Sequence, residues 1–339
     1  MSEAVKPLTT ATVPRELLGP PGKLNPTLLI FMIAVVMATL SVCGYWRWHW
    51  LGWVCFFLNV VALHLVGTVI HDASHNVAHQ NRVMNAVLGH GSALMLGFSF
   101  PVFTRVHMQH HANVNDPEND PDHFVSTGGP LWLIAARFFY HEIFFFKRKL
   151  WRKYELLEWF LARLTVALII YYAVQHGFLA YILNYWFSPA LVVGLALGLF
   201  FDYLPHRPFQ ERNRWKNARV YPGAVLNLLI MGQNYHLIHH LWPSIPWYNY
   251  QTAYYATRPL LDAKGCHQSL GLFKGKDFLS FVYDLFLGIR FHHGSDGKPA
   301  QAPDSEKASL GTAAVALEHV QRSDGEPSTA ESPLATTPR

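Results

Sequence analysis

Three clusters of histidine carry the chemistry this sequence offers. His71 and His75 stand at i and i+4 in HDASH, with His79 four residues further on. His107, His110 and His111 form one HxxHH motif, and His236, His239 and His240 form a second. On an α-helix, residues three or four apart project from the same face, so each cluster presents two or three imidazoles within one arc. Metal-binding helices of the HExxH kind use the same spacing to present two. Eight imidazoles are more than one four- or six-coordinate ion accepts, and two ions fit the count. Imidazole suits zinc, copper, iron and nickel alike, so ligand type alone does not choose the metal.

Such clusters need a scaffold, and the composition says which kind. Of 339 residues, 51% are hydrophobic and 14% charged, well below the roughly 25% charge of soluble domains. Residues 27–46, 51–70 and most of 164–204 are apolar runs long enough to cross a bilayer, which takes roughly 20 residues per helix. No charged side chain lies between Arg163 and Asp202, enough chain for a helical hairpin. The expected fold is an all-α integral membrane protein with about four transmembrane helices in two hairpins. A cytosolic helical cap then carries the histidine-rich dimetal site.

Several finer expectations follow. Residues 1–26 form a loose, proline-containing leader, 27–293 the membrane domain, and 294–339 a disordered tail, rich in small and polar residues and lacking aromatics. The stretch 84–103 contains His90, Gly91, Gly97 and Pro101. If it crossed the membrane, the histidines on either side of it would face opposite compartments, so it is interfacial or re-entrant. Residues 117–130 make a turn-rich loop, 131–146 an amphipathic stretch in the interface, and 157–205 the second hairpin. The basic runs 147–153 and 207–219 place the caps and both termini in the cytoplasm, since positive loops stay inside. The chain is thus multi-pass, in a plasma or thylakoid membrane, with its histidine clusters on the cytoplasmic side. Cys43, Cys55 and Cys266 lack the spacing of a disulfide framework or a thiolate metal site.

Around the eight histidines stand further candidates. His206, in FDYLPHRPF, leaves the last span beside the same face and is the candidate ninth ligand. Asp202, one turn earlier, is placed to orient an imidazole or hold a metal-bound water. Asp72 follows His71 directly, and Asn234 precedes the second HxxHH motif; each is a candidate partner for the far nitrogen of a ligating ring, with helix capping the alternative for Asn234. His79 and His123 stay outside the ligand set. His49, His64, His90, His141 and His176 read as ordinary core or interface residues. The aspartates of DPENDPDH (Asp116, Asp120, Asp122) read as Asx-turn residues around two prolines. Spanning helices with almost no polar interior disfavour a transporter. A two-metal site with apolar walls suits an apolar substrate entering from lipid, and oxidising its C–H bonds needs O₂ and a redox metal, which makes iron the economical choice. A non-enzymatic metal-binding or transport protein is the alternative of a different class.

At this point the residues resemble a known family. HxxxH, HxxHH and HxxHH around two membrane hairpins resemble the membrane fatty acid desaturase/hydroxylase superfamily. The stretches HDASHNVAHQNRVMNAVLGHGSALMLGF, FTRVHMQHHANVNDPENDPDH, FFDYLPHRPFQERNRWKNARVYPG and MGQNYHLIHHLWPSIPWYNY resemble its β-carotene hydroxylases of the cyanobacterial type, over roughly residues 14–293. The resemblance implies hydroxylation of β-ionone rings at C3, from β-carotene through β-cryptoxanthin to zeaxanthin. It also implies two non-haem irons, O₂ as co-substrate, and ferredoxin as electron donor. Its iron ligands would be His71, His75, His107, His110, His111, His236, His239 and His240. His206 is similar to an extra histidine of acyl-CoA desaturases, which have asparagine one turn earlier where this chain has Asp202. Expected partners are therefore ferredoxin, a carotenoid from the lipid phase and membrane lipids, with no nucleic acid. Arg148, Arg152, Arg212, Arg214 and Arg219 are the expected ferredoxin contacts. Trp132, Phe138, Phe139, Tyr140, Trp242, Trp247 and Tyr248 are expected either to line a site for a flat conjugated chain or to anchor the protein in the interface. Acyl-lipid desaturation and carotene ketolation are the alternatives within the enzyme class.

Overall fold

A computed structural model describes residues 13–18, 21–271 and 276–288. The expected tail 294–339 lies outside them. Every regular element among the described residues is helical. Helix α1 (Pro26–Trp46) starts where Asn25 accepts a hydrogen bond from the Leu28 amide, with proline at its first position, a favourable opening because proline lacks the N–H that would be orphaned there. Helix α2 (Gly52–Ser74) packs back against it and ends at His75.

Helices α8 (Lys153–Gln175) and α9 (Leu179–His206) form the second hairpin, so that among the described residues α1, α2, α8 and α9 are the four helices long and apolar enough to cross a membrane. Their outer faces are apolar: Leu29, Met32 and Val36 on α1 and Leu157, Phe160, Leu168 and Tyr171 on α8 are all more than half exposed. Such a surface suits acyl chains and would associate in water. Far from the histidines, Ser41, Asn59 and Tyr181 hydrogen-bond one another and tie the hairpins together. Nearer the histidines, the tie is close packing: a Cβ on Gly67 of α2 would sit 2.9 Å from Leu197 of α9.

Between the hairpins, α3 (Arg82–Leu96) and α4 (Phe100–Asn113) meet at a 98° bend over Gly97, whose φ of 76° suits glycine. Arg163 of α8 holds this corner, donating to the Gly97 carbonyl at 2.8 Å and pairing with Glu142 at 2.9 Å. The rings of His75, before the pair, and His107, near its end, are in contact. The pair therefore returns to the face it left, as a re-entrant element. Short helices α5 (Pro121–Thr127), α6 (Ile134–Arg137) and α7 (Phe139–Lys147) lead back to α8. The cap after α9 contains α10 (Ala224–Leu229), α11 (His236–Leu241), α12 (Tyr250–Ala263) and α13 (Lys276–Phe286).

Two expectations need correction. The described part of the leader is not loose: Val13 and Leu17 are buried in the same core as Trp215, Tyr235, Trp247 and Leu261, because two apolar side chains bury more favourably there than in water. The stretch 117–130 is not all loop either, since Asp120 accepts from the Asp122 amide and Pro121 opens a helix behind it.

Candidate metal centre

The three histidine clusters meet where α2, α4, the end of α9 and α11 converge. Donor atoms of His71, His75, His107 and His239 lie within 4.8 Å of one another, and those of His110, His206, His236 and His240 form a second such group. His111 joins the first, its Nε2 lying 2.8 Å from that of His239 and 3.1 Å from that of His107. The partition explains the HxxHH spacing. In α4 the i, i+4 pair His107 and His111 serves the first group while His110 serves the second. In α11 the i, i+4 pair His236 and His240 serves the second group while His239 serves the first. Each motif therefore clamps one position with a pair and reaches the other with its odd member, which HxxxH alone does not do.

The geometry fits metal. Within the first group the Nε2 atoms of His75 and His107 are 2.8 Å apart and those of His71 and His239 are 3.1 Å apart. Adjacent nitrogens on one ion, each bound at about 2.0–2.1 Å, sit roughly 2.9 Å apart. In the second group, His206 Nε2 and His236 Nε2 are buried without a hydrogen-bond partner, a costly arrangement unless something takes their lone pairs.

The far nitrogens show which atom each ring offers. His206 Nδ1 donates to the Asn217 carbonyl at 2.9 Å, His110 Nδ1 to Asp120 at 2.9 Å, and His236 Nδ1 to the Gln233 side-chain oxygen at 2.8 Å. His239 Nδ1 lies 2.9 Å from the Tyr250 hydroxyl. Carbonyl and carboxylate oxygens only accept, so Nδ1 carries the proton and Nε2 is left as the donor to metal. Burial first, and then neighbouring imidazoles, push His75, His236, His239 and His240 well below the ordinary histidine range. They are neutral bases, the form a metal binds.

Asp120 is therefore more than a turn residue. It caps α5, accepts from the Asn115 amide at 2.8 Å and orients His110. Asn115 in turn donates to the same Asn217 carbonyl that holds His206. One polar chain thus fixes a ring from α4 and a ring from α9. Replacing Asp120 by alanine should weaken metal binding at the second group by roughly 10–100-fold. Metal titration of the purified protein reads this directly, and unchanged affinity would remove Asp120 from the orienting role.

The other candidates fall as follows. Asp72 is fully buried, accepts from Thr27 at 2.8 Å and stands 4.0 Å from His71 Nδ1, beside the ring rather than bonded to it. Asp202 lies in a π-helical stretch, Gly198–Tyr203, just before His206; its Oδ2 is buried without a partner. Asn234 does not brace a histidine and caps nothing. It turns away from the rings to backbone carbonyls of Tyr221 and Gly223, and its neighbour Gln233 takes the expected role. His79 points to the Lys23 carbonyl and His123 packs on Phe209; both lie outside the two groups. His141 was expected to be an ordinary core residue. It is buried and bonds Asp122 at 2.8 Å, and Asp122 stands 3.4 Å from His110. No sequence spacing links residues 110, 122 and 141, so only the fold reveals this chain.

An apolar cavity reaches these groups. It encloses about 880 Å³ free of protein atoms, its open mouth included. Ile70, Leu96, Phe98, Phe103, Leu197 and Phe201 wall it, and His71, His107, His110, Asp122, His141, Asp202 and His236 are its polar lining. Gly67, Ala190 and Gly194, from α2 and α9, leave the space open. Of the aromatics expected to line a site, Phe138 does so; Trp132 and Phe139 are more than half exposed instead. The lining phenylalanines other than Phe138 come from turns and helix ends whose facing the sequence pattern does not reveal.

Two membrane hairpins whose ends gather nine imidazoles, four of them lining an apolar cavity, define a membrane-embedded oxidoreductase. A profile of the fatty acid desaturases matches residues 47–270, and the chain belongs to that family. It is 25% identical over 269 residues to an sn-1 oleoyl-lipid 12-desaturase of Anabaena variabilis, covering 66% of this chain and 73% of that one. It is 29% identical over 244 residues to a β-carotene ketolase of Paracoccus sp. (strain N81106 / MBIC 01143), covering 68% of this chain and 93% of that one. A dihydrorhizobitoxine desaturase of Bradyrhizobium elkanii is 29% identical over 240 residues, covering 58% and 66%.

Proposed function

We propose that this protein is a β-carotene 3-hydroxylase, adding hydroxyl groups to β-ionone rings to give β-cryptoxanthin and then zeaxanthin. The cavity carries the reading. Its walls are mainly apolar, come partly from membrane helices, and include His71, His107, His110 and His236, which suits a ring entering from the lipid phase toward the metals. Two iron ions, held by His71, His75, His107, His111 and His239 and by His110, His206, His236 and His240, would supply the redox chemistry that activates O₂. Per hydroxyl, the reaction takes O₂, two electrons and two protons and returns water.

The protein's own contribution is to hold one C–H bond in the cavity beside these histidines, keep water out, and keep the imidazoles in the donor tautomer. Ferredoxin is the proposed electron source, docking on the cytoplasmic basic surface in a plasma or thylakoid membrane. Of the five arginines considered for this, Arg148 and Arg212 reach acceptors of the 116–119 turn, and Arg219 holds the backbone carbonyls of Leu270 and Arg207. Arg219 is thus a brace rather than a docking residue.

A second reading is ketolation at the neighbouring ring carbon, favoured by the similarity to β-carotene ketolases of two Paracoccus strains. Expression in a host that accumulates β-carotene and supplies ferredoxin separates the readings. Products gaining one and then two oxygens with an unchanged visible spectrum support hydroxylation. A red-shifted spectrum means conjugated ketones and the second reading. Unchanged carotene in iron-loaded protein, with altered acyl chains, means a lipid desaturase and ends both carotenoid readings.

A further inference from the structure

His64 is a polar residue in the middle of an apolar spanning helix, and nothing local satisfies it. It lies seven residues before His71, about 10 Å along α2 at a rise of 1.5 Å per residue. An imidazole at that depth needs a partner. The partner comes from the cap: His64 Nε2 lies 2.8 Å from the Leu229 carbonyl oxygen, and since a carbonyl only accepts, the ring donates. Leu229 is the last residue of α10. The backbone of this short helix therefore stands against α2 two turns inward from the histidine end.

The side chains of α10 are oriented the wrong way for water. Val225, Leu228 and Leu229 are 74%, 67% and 61% exposed. The polar side chain of the helix, Asn227, turns toward the protein and donates to Gln251 at 3.2 Å. A cap helix in water shows the opposite polarity. Val61, one turn from His64 on the same face of α2, is also exposed, so the outer face of α10 continues the lipid-facing surface of a membrane helix.

We propose that α10 is a re-entrant element seated in the acyl-chain region of the bilayer, pinned at its depth by the hydrogen bond from His64 to Leu229. The chain leaves it through Gly232, where φ is 82° and a Cβ would lie 2.8 Å from the Trp247 carbonyl oxygen. It then enters the second HxxHH motif, so the bilayer supports the segment that presents His236, His239 and His240.

The test uses the full chain in phosphatidylcholine vesicles, with Cys43, Cys55 and Cys266 replaced by alanine and a nitroxide attached at Val225→Cys or Leu228→Cys. Collision with O₂, which concentrates in lipid, is compared with collision with a water-soluble nickel chelate. Phe57→Cys on the exposed face of α2 and Lys264→Cys on the exposed cap are the references. The expected oxygen-to-nickel ratio at 225 and 228 matches that at 57 and exceeds that at 264 severalfold. A ratio like that at 264 places α10 in water and overturns the proposal. Low collision with both reagents means that protein, such as a second copy of the chain, covers the face, and overturns it equally. Adding His64→Leu should lower the ratio at 225 and 228 while leaving that at 57 unchanged; no change at 225 and 228 would refute the pinning role.

Discussion

His206→Ala should reduce the protein from about two bound metal ions to about one, His239→Ala should weaken the ion of the five-imidazole group, and each should abolish turnover, because two-metal chemistry needs both positions properly filled. The two substitutions act on different groups. His239 belongs with His71, His75, His107 and His111, and His206 belongs with His110, His236 and His240. Losing His206 leaves three imidazoles in its group, and losing His239 leaves four in the other. The ion kept at full affinity should therefore be the one whose group is intact, and the double variant should bind neither ion as tightly as the intact protein. His79→Ala and His123→Ala are the controls, because both rings lie outside the groups and bond elsewhere. Metal analysis by mass spectrometry, with activity measured on the same preparations, reads the result. If His206→Ala keeps both ions, the second group is misassigned. If His79→Ala loses one, the boundary of the ligand set is wrong.

How the sequence led to these groups, and where it stopped, follows from the range of each interaction. Helices α1, α2, α8 and α9 were legible because a membrane span is a local property, a run of apolar residues of set length. The re-entrant nature of α3 and α4 was legible by consistency: histidines on both sides of the stretch had to meet. The division of the clusters into two groups was not legible. It depends on how α4 and α11 face each other, and no periodicity within either helix encodes that. The same limit hid the residues that hold the rings. Asp120 looked like a turn residue and is one; its bond to His110 exists because the turn folds back over α4. Gln233 rather than Asn234 holds His236, since the 3₁₀ turn Gln233–Tyr235 rotates residue 233 toward the ring. His141 was indistinguishable from any other core histidine until α7 brought it to Asp122. His64 reads as an ordinary core or interface residue for the same reason: its partner, the Leu229 carbonyl, lies 165 residues away.

Ala190→Phe should lower turnover of the apolar substrate by at least roughly 10²-fold while leaving both metal ions bound. Ala190 lines the cavity from α9, as Leu96, Phe98 and Phe138 do from elsewhere, and it belongs to neither histidine group. A phenyl ring in its place occupies space that the substrate ring needs. Displacing a reacting C–H bond by about 1 Å is already enough to cost about 10²-fold. The nearby glycines are poorer choices for this experiment. A Cβ on Gly194 would lie 3.0 Å from Ala135 Cβ and 3.4 Å from its Cα, so enlarging that residue strains helix packing as well as filling the cavity. The informative pattern is the separation of two readouts. Metal content at the level of the intact protein, together with collapsed turnover and an unchanged melting temperature, assigns the cavity to the substrate. Full activity in the same variant would show that the substrate reaches the metals by another route, and the cavity between α2 and α9 would then have no part in the reaction.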